Sequence, residues 1–246
     1  MGRIALCALL CLALCAPALA EETPAPHALS GFVAEGYPVP DVPECDRVDD
    51  GYFAGAVLVG DSTAASFELL GVVPELTTIW EIGLSPRTAE SDHIFEVDNR
   101  YVTLSEKLES MQPTKVYLWL GSNGVDTKAA KLVLEDYDRL LNALIPRLPH
   151  TLIYLVSLTP VKLVAQEQYA NYTNERVDEF NEGLRALAAA HNVYYLHVNH
   201  LLRNEKGLLD GEYGAGDGIH LRASAYDLLS AYLYTHAIPD GQEEYP

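Results

Sequence analysis

Five short apolar runs punctuate the chain, at residues 54–60, 77–82, 115–120, 151–156 and 193–198. Each is closed by small or polar residues, as a short strand is. The runs are continuous rather than alternating in polarity, which marks a parallel sheet covered on both faces. Helical spacing fills the gaps. Residues 63–70 follow the first run directly. Residues 128–144 carry Leu132, Leu134, Leu140, Leu141 and Leu144, and residues 174–190 carry Val177, Phe180, Leu184 and Leu187 on one face. Residues 223–236 form a last helix. Thr103-Leu104-Ser105-Glu106 has the form of a capping box, opening a helix that stops at Pro113. Strands alternating with helices predict a three-layer α/β/α sandwich around a five-stranded parallel sheet.

The N-terminal residues change the picture of where this domain works. Arg3, an apolar stretch over residues 4–15 and Ala18-Leu19-Ala20 before Glu21 read as a cleaved secretory signal. The apolar stretch is too short to span a bilayer, and Leu14 before Cys15 does not suit a lipoprotein signal. The expected mature chain starts at Glu21 and is secreted or extracytoplasmic, with no stable membrane insertion. Cys7, Cys11 and Cys15 leave with the signal, so Cys45 has no partner for an internal disulfide. Residues 21–50 are rich in Pro and acids and read as an extended lead-in; residues 51–246 then hold the domain. The chain has 35 acidic and 16 basic residues, a net charge of −19. That balance excludes nucleic acid and anionic membrane surfaces as partners.

In a parallel sheet of this kind, sites form at the C-terminal ends of the strands. Ser62 stands there, at the first strand-to-helix turn. A backbone N–H at a helix start is free to bind an oxyanion, and the helix dipole favours negative charge. The plain alternative is that Asp61 or Ser62 caps the helix. Asp217 lies three residues before His220 in a glycine-rich loop. A carboxylate so placed can fix the imidazole tautomer and leave Nε2 free as a base; a turn whose Asp caps the last helix is the alternative. Asn123, after the third strand, can donate to an oxyanion or serve as a turn residue. Gly83, after the second strand, can bring a backbone N–H to the same point or be an ordinary turn glycine. Residues 160–173 leave the fourth strand on the same side, either shaping a pocket or forming a solvated connector. His197 and His200 read as structural, without a third metal ligand nearby in sequence.

Gly60-Asp61-Ser62, Gly83 after the second strand, Gly121-Ser122-Asn123 after the third and Asp217-Gly218-Ile219-His220 near the end stand in an order that resembles the SGNH (GDSL) hydrolase superfamily. Residues 117–123, Asn174-Glu175-Arg176 with Phe180-Asn181, and residues 193–196 are similar to its secreted bacterial acylhydrolase branch. The resemblance implies a flavodoxin-like sheet and a cofactor-free, metal-free serine esterase. Ser62 is the implied nucleophile, His220 the base and Asp217 its orienter. The N–H groups of Ser62 and Gly83 and the side chain of Asn123 are the implied oxyanion hole. Two positions depart from the pattern. Thr63 follows the serine where Leu or Arg is common, and Gly124 replaces an Asp that would support Asn123. The implied substrate is a small acyl ester or an acylated glycan. Strand-end loops bearing Ser85, Arg87, Gln166, Tyr169, Asn171, Tyr172 and Tyr213, with no apolar run, favour a short acyl group over a lipid chain. An O-acyltransferase with the same triad and a non-catalytic cell-surface binding module are the rival classes, and the oligomeric state is left open.

Overall fold

The computed structural model describes residues 30–34 and 36–238; residues 1–20, read as a signal, lie outside them. The main sheet contains β1 (Ala56–Gly60), β2 (Thr77–Trp80), β5 (Lys115–Trp119), β6 (Leu152–Val156) and β7 (Tyr194–Leu196). All are parallel, in the order β2-β1-β5-β6-β7. A short antiparallel hairpin, β3 (Phe95–Val97) with β4 (Arg100–Val102), stands apart. The helices are α1 (Ala65–Leu70), α2 (Pro86–Ser91), α3 (Leu104–Met111), α4 (Ser122–Val125), α5 (Ala130–Leu144), α6 (Leu163–Gln168), α7 (Asn174–Ala190) and α8 (Ala223–Thr235).

Strand side chains alternate across the sheet, and the two sides feed separate cores. Val57, Val59, Val116, Leu118, Ile153 and Leu155 pack with residues of α2, α3, α5 and α7. Ala56, Leu58, Tyr117, Trp119, Tyr154 and Leu196 pack with α1 and α8. The result is the expected three-layer sandwich. On the α8 side, Tyr117, Tyr154 and Tyr194 are cross-strand neighbours whose rings stack at 4.6 and 5.4 Å. Such pairs tie adjacent strands together.

Burial of every strand on both faces fails for β2. It is an edge strand, and Thr77–Trp80 range from exposed to half-buried. The strand stops at Trp80, and Ile82 points into solvent, 75% exposed. The opposite edge is covered by the lead-in. Asp41 makes a parallel bridge with Tyr195, whose N–H donates to the Pro40 carbonyl at 2.6 Å. Ala34 and Val42 are buried in the α8-side core. A covered edge cannot template pairing with another chain.

Candidate active site

β1 ends at Gly60, a position where nothing larger fits. A Cβ there would lie 2.4 Å from the Ala64 Cβ and 3.0 Å from the Trp119 carbonyl oxygen. The chain turns over residues 61–64, closed by the Ala64 N–H on the Asp61 carbonyl at 3.0 Å. α1 starts only at Ala65 and is six residues long. The helix expected from Thr63 onward is therefore short and begins downstream of Ser62, so its dipole contributes little at the serine. Asp61 does not cap that helix. The residue is only 3% exposed, and its side chain joins two strand-end loops. Oδ1 accepts the Thr63 N–H at 2.9 Å; Oδ2 accepts the Ser122 hydroxyl and, at 2.8 Å, the Asn123 amide.

Ser62, His220 and Asp217 meet at the C-terminal edge of the sheet. Ser62 Oγ is 3.0 Å from His220 Nε2. His220 Nδ1 is 2.7 Å from Asp217 Oδ2. An ionised carboxylate only accepts, so Nδ1 carries the proton and Nε2 is the acceptor for the serine hydroxyl. The other Asp217 oxygen accepts the N–H groups of Ile219 and His220 at 2.9 and 3.0 Å. Partial burial pulls the Asp217 pKa up, but the Ile219 N–H, the His220 ring and the His220 N–H outweigh it and hold the carboxyl below its ordinary value. The loop that carries both residues is braced as a small hairpin. Gly214 bridges Leu221, and the Ala215 N–H donates to the His220 carbonyl at 2.7 Å.

Asn123 reaches the same place from β5 by way of Gly121, whose φ of 128° admits only glycine easily and whose α-carbon faces the Phe180 ring. The resemblance implied a weaker hold on Asn123 for want of an Asp at 124. The structure corrects this: Asp61 supplies the carboxylate, and a Cβ at 124 would press on Val133 at 3.0 Å. Gly83 has φ 77° and precedes Leu84, whose carbonyl lies 3.4 Å from the Asn123 amide nitrogen. Gly83 thus borders Asn123, but it is not among the residues lining the cavity at Ser62.

That cavity holds about 190 Å³ and is lined by Ser62, Asn123, Asp126, Tyr169, Tyr172 and His220, among others. Residues 160–173 therefore shape the pocket, and they contain α6 rather than a plain loop. Tyr172 is buried, and burial, then the Asp61 and Asp126 carboxylates, push its phenol pKa far up, so it stays a hydrogen-bond donor. Other residues expected around the pocket do other work. Ser85 caps α2 in a capping box with Thr88, Gln166 accepts the Asn174 N–H, and Tyr213 packs in the α8-side core. Leu163 and Val164 are exposed on α6, an apolar pair in a segment read as polar. Asp126 follows the Gly-x-Asn turn without any spacing signal of its own, so nothing in the sequence marks it.

A hydroxyl, an imidazole and a carboxylate in hydrogen-bonded series on loops at the C-terminal edge of a parallel sheet form an arrangement that suits a hydrolase. The profile described as GDSL-like Lipase/Acylhydrolase matches residues 58–228, more than half of the chain, and the protein belongs to that family. A lipase/acylhydrolase from Enterococcus faecalis has a similar fold, with a TM-score of 0.55 and 17% identity over 73% of this chain and 93% of that one. A GDSL-like lipase from Bacteroides thetaiotaomicron gives a TM-score of 0.57 at 14% identity, over 76% and 88% of the two chains. An acetyl esterase variant solved with an acetate ion gives 0.52 at 11% identity, over 73% and 94%. No curated protein matches the chain.

Proposed function

We propose that this chain is a secreted serine esterase that removes short acyl groups, acetyl foremost, from a polar alcohol such as a glycan. The observation that carries the proposal is the 3.0 Å contact of Ser62 Oγ with His220 Nε2, backed by the 2.7 Å contact with Asp217. Ser62 Oγ bonds to the acyl carbon while its proton passes to His220 Nε2. Asp217 steadies the imidazolium that results. The carbonyl oxygen becomes an oxyanion, met by the Ser62 N–H and the Asn123 amide; a third donor, the Gly83 N–H, is what the family resemblance implies. The bond to the alcohol oxygen breaks, and His220 returns the proton to that oxygen. Water then repeats the sequence on the acyl-enzyme, releasing the acid and free Ser62.

Two features favour a short acyl group and water as the acceptor. The cavity of about 190 Å³ is small, and its lining is largely polar and aromatic. The His220 and Asp217 side chains are about half exposed, so water reaches the base freely. A long acyl chain needs apolar surface for many CH₂ groups, at roughly 0.8 kcal/mol each; Leu163 and Val164 alone do not supply it. The test is a nitrophenyl ester series from acetyl to octanoyl, with Ser62→Ala as control. Activity falls with chain length, and Ser62→Ala loses on the order of 10⁴–10⁶-fold. A maximum at octanoyl would replace the deacetylase reading with a lipase.

A further inference from the structure

The backbone of the loop carrying Asp217 and His220 is held from outside by Lys162. Lys162 stands immediately before α6, in the segment that leaves β6. Its Nζ donates to the carbonyls of Gly214 and Ala215, at 2.6 and 3.0 Å. Its backbone N–H donates to the Gly218 carbonyl at 2.9 Å. One residue thus grips the loop at both of its shoulders, on either side of Asp217. The fit is close. A Cβ at Gly214 would lie 2.5 Å from Lys162 Cε, and a Cβ at Gly218 would lie 3.0 Å from Lys162 Cβ. Both glycines are what allow the lysine so near.

Lys162 is itself anchored. The neighbouring Val161 is clamped by Asn174, which accepts the Val161 N–H at 3.0 Å and donates to its carbonyl at 2.8 Å. Asn174 is buried and opens α7, so the clamp rests on one of the longest helices of the fold. The Val161 carbonyl also accepts the Leu209 N–H at 3.2 Å. A continuous series of hydrogen bonds and chain links therefore runs from α7 through Asn174, Val161 and Lys162 to the backbone that presents Asp217 and His220. The lysine amine is also well suited to this task. It has several donors and no acceptor, and the loop offers it only carbonyls. The Ala215 carbonyl it holds also accepts the Gly218 N–H at 3.3 Å, and the Ala215 N–H meets the His220 carbonyl.

We infer that Lys162 is a positioning residue for the Asp217–His220 pair, setting the imidazole at Ser62 without touching the reacting atoms. This rests on the proposed roles of Ser62, His220 and Asp217. The decisive variants are Lys162→Met, which keeps the stem and removes the donors, and Lys162→Cys, which aminoethylation converts to a thioether analogue of lysine. Wild type and Ser62→Ala are treated and assayed in parallel, which accounts for labelling of the native cysteines. With nitrophenyl acetate, Lys162→Met loses kcat by about 10–10²-fold, the scale of a small misplacement of a catalytic group, while KM changes little. The downfield proton resonance of the His220 Nδ1–H weakens or moves upfield in Lys162→Met. Aminoethylated Lys162→Cys regains kcat and the resonance, whereas the same variant blocked with iodoacetamide does not. Wild-type kcat and an unmoved resonance in Lys162→Met would overturn the inference, as would equal recovery with either reagent. Ser62→Ala separates the two readings. If it is as active as wild type, the proposed triad fails; if it is inactive while Lys162→Met is unimpaired, only the role of Lys162 fails.

Discussion

Replacing Asp61 by Asn probes the link between the turn that carries the proposed nucleophile, Ser62, and the proposed oxyanion donor, Asn123. The carboxylate uses both oxygens, Oδ1 for the Thr63 N–H and Oδ2 for Ser122 and Asn123. A carboxamide has one acceptor oxygen. Turned toward Thr63, it sets its NH₂ against the Asn123 NH₂; turned toward Asn123, it sets its NH₂ against the Thr63 N–H. Either way a donor beside a side chain only 3% exposed loses its partner. The cost is about 1–3 kcal/mol, read as a lower urea midpoint with an unchanged slope. The catalytic cost has a ceiling. Losing one oxyanion donor costs about 10²–10³ in kcat, so Asn123→Ala falls there and Asp61→Asn, which loosens Asn123 without removing it, falls below it. If Asp61 acts on catalysis through Asn123, the two losses do not multiply. The assay is nitrophenyl acetate turnover by wild type, both single variants and the double variant. A double variant close to Asn123→Ala supports the linkage. Full multiplication of the two losses, or wild-type kcat in Asp61→Asn, would refute it.

Three more outcomes are expected, two from the geometry and one from the N-terminal sequence. Gly60→Ala places a methyl 2.4 Å from Ala64 Cβ, so it should lower stability by about 1–3 kcal/mol in urea melts; a neutral result would show that the turn has slack. Asp217 has its pKa held below the ordinary carboxylate value, so its contribution to stability is present above that ordinary value and disappears as pH falls through the lower folded-state pKa; Asp217→Asn should flatten that acid stretch of the thermal-melt profile, and an unchanged profile would contradict it. Protein exported by a secretion-competent host should begin at Glu21 by intact mass, and retention of residues 1–20 or a lipid on Cys15 would contradict the signal reading.

The parallel sheet was legible because β1, β5, β6 and β7 are buried along their whole length, and continuous burial leaves a short apolar run in the sequence. The helix at Thr103 was legible because its capping box forms as written, Thr103 accepting the Glu106 N–H and Glu106 accepting the Thr103 N–H. The β3–β4 hairpin was missed although Asp98-Asn99, with φ of 49° and 60°, is the kind of pair that a two-residue turn requires. Its three-residue strands are too short for a polarity pattern to register. The exposure of β2 was not legible either, since edge position depends on strand order. At the site, Ser62, Asn123, Asp217 and His220 stood out because their motifs are local. Lys162 and the second role of Asp61 did not. Their partners lie 52 and 62 residues away in sequence, and only the packed loops bring them together.

In the proposed mechanism Ser62 forms a covalent bond with the acyl group. The direct measurement is to quench the protein during turnover of an activated acetyl ester, digest it and locate the added acetyl by mass spectrometry. The adduct is expected on the peptide containing Ser62, and it should be absent from Ser62→Ala and from His220→Ala. An acetyl adduct on another residue that turns over at the catalytic rate, or undiminished hydrolysis by Ser62→Ala, would contradict the assignment.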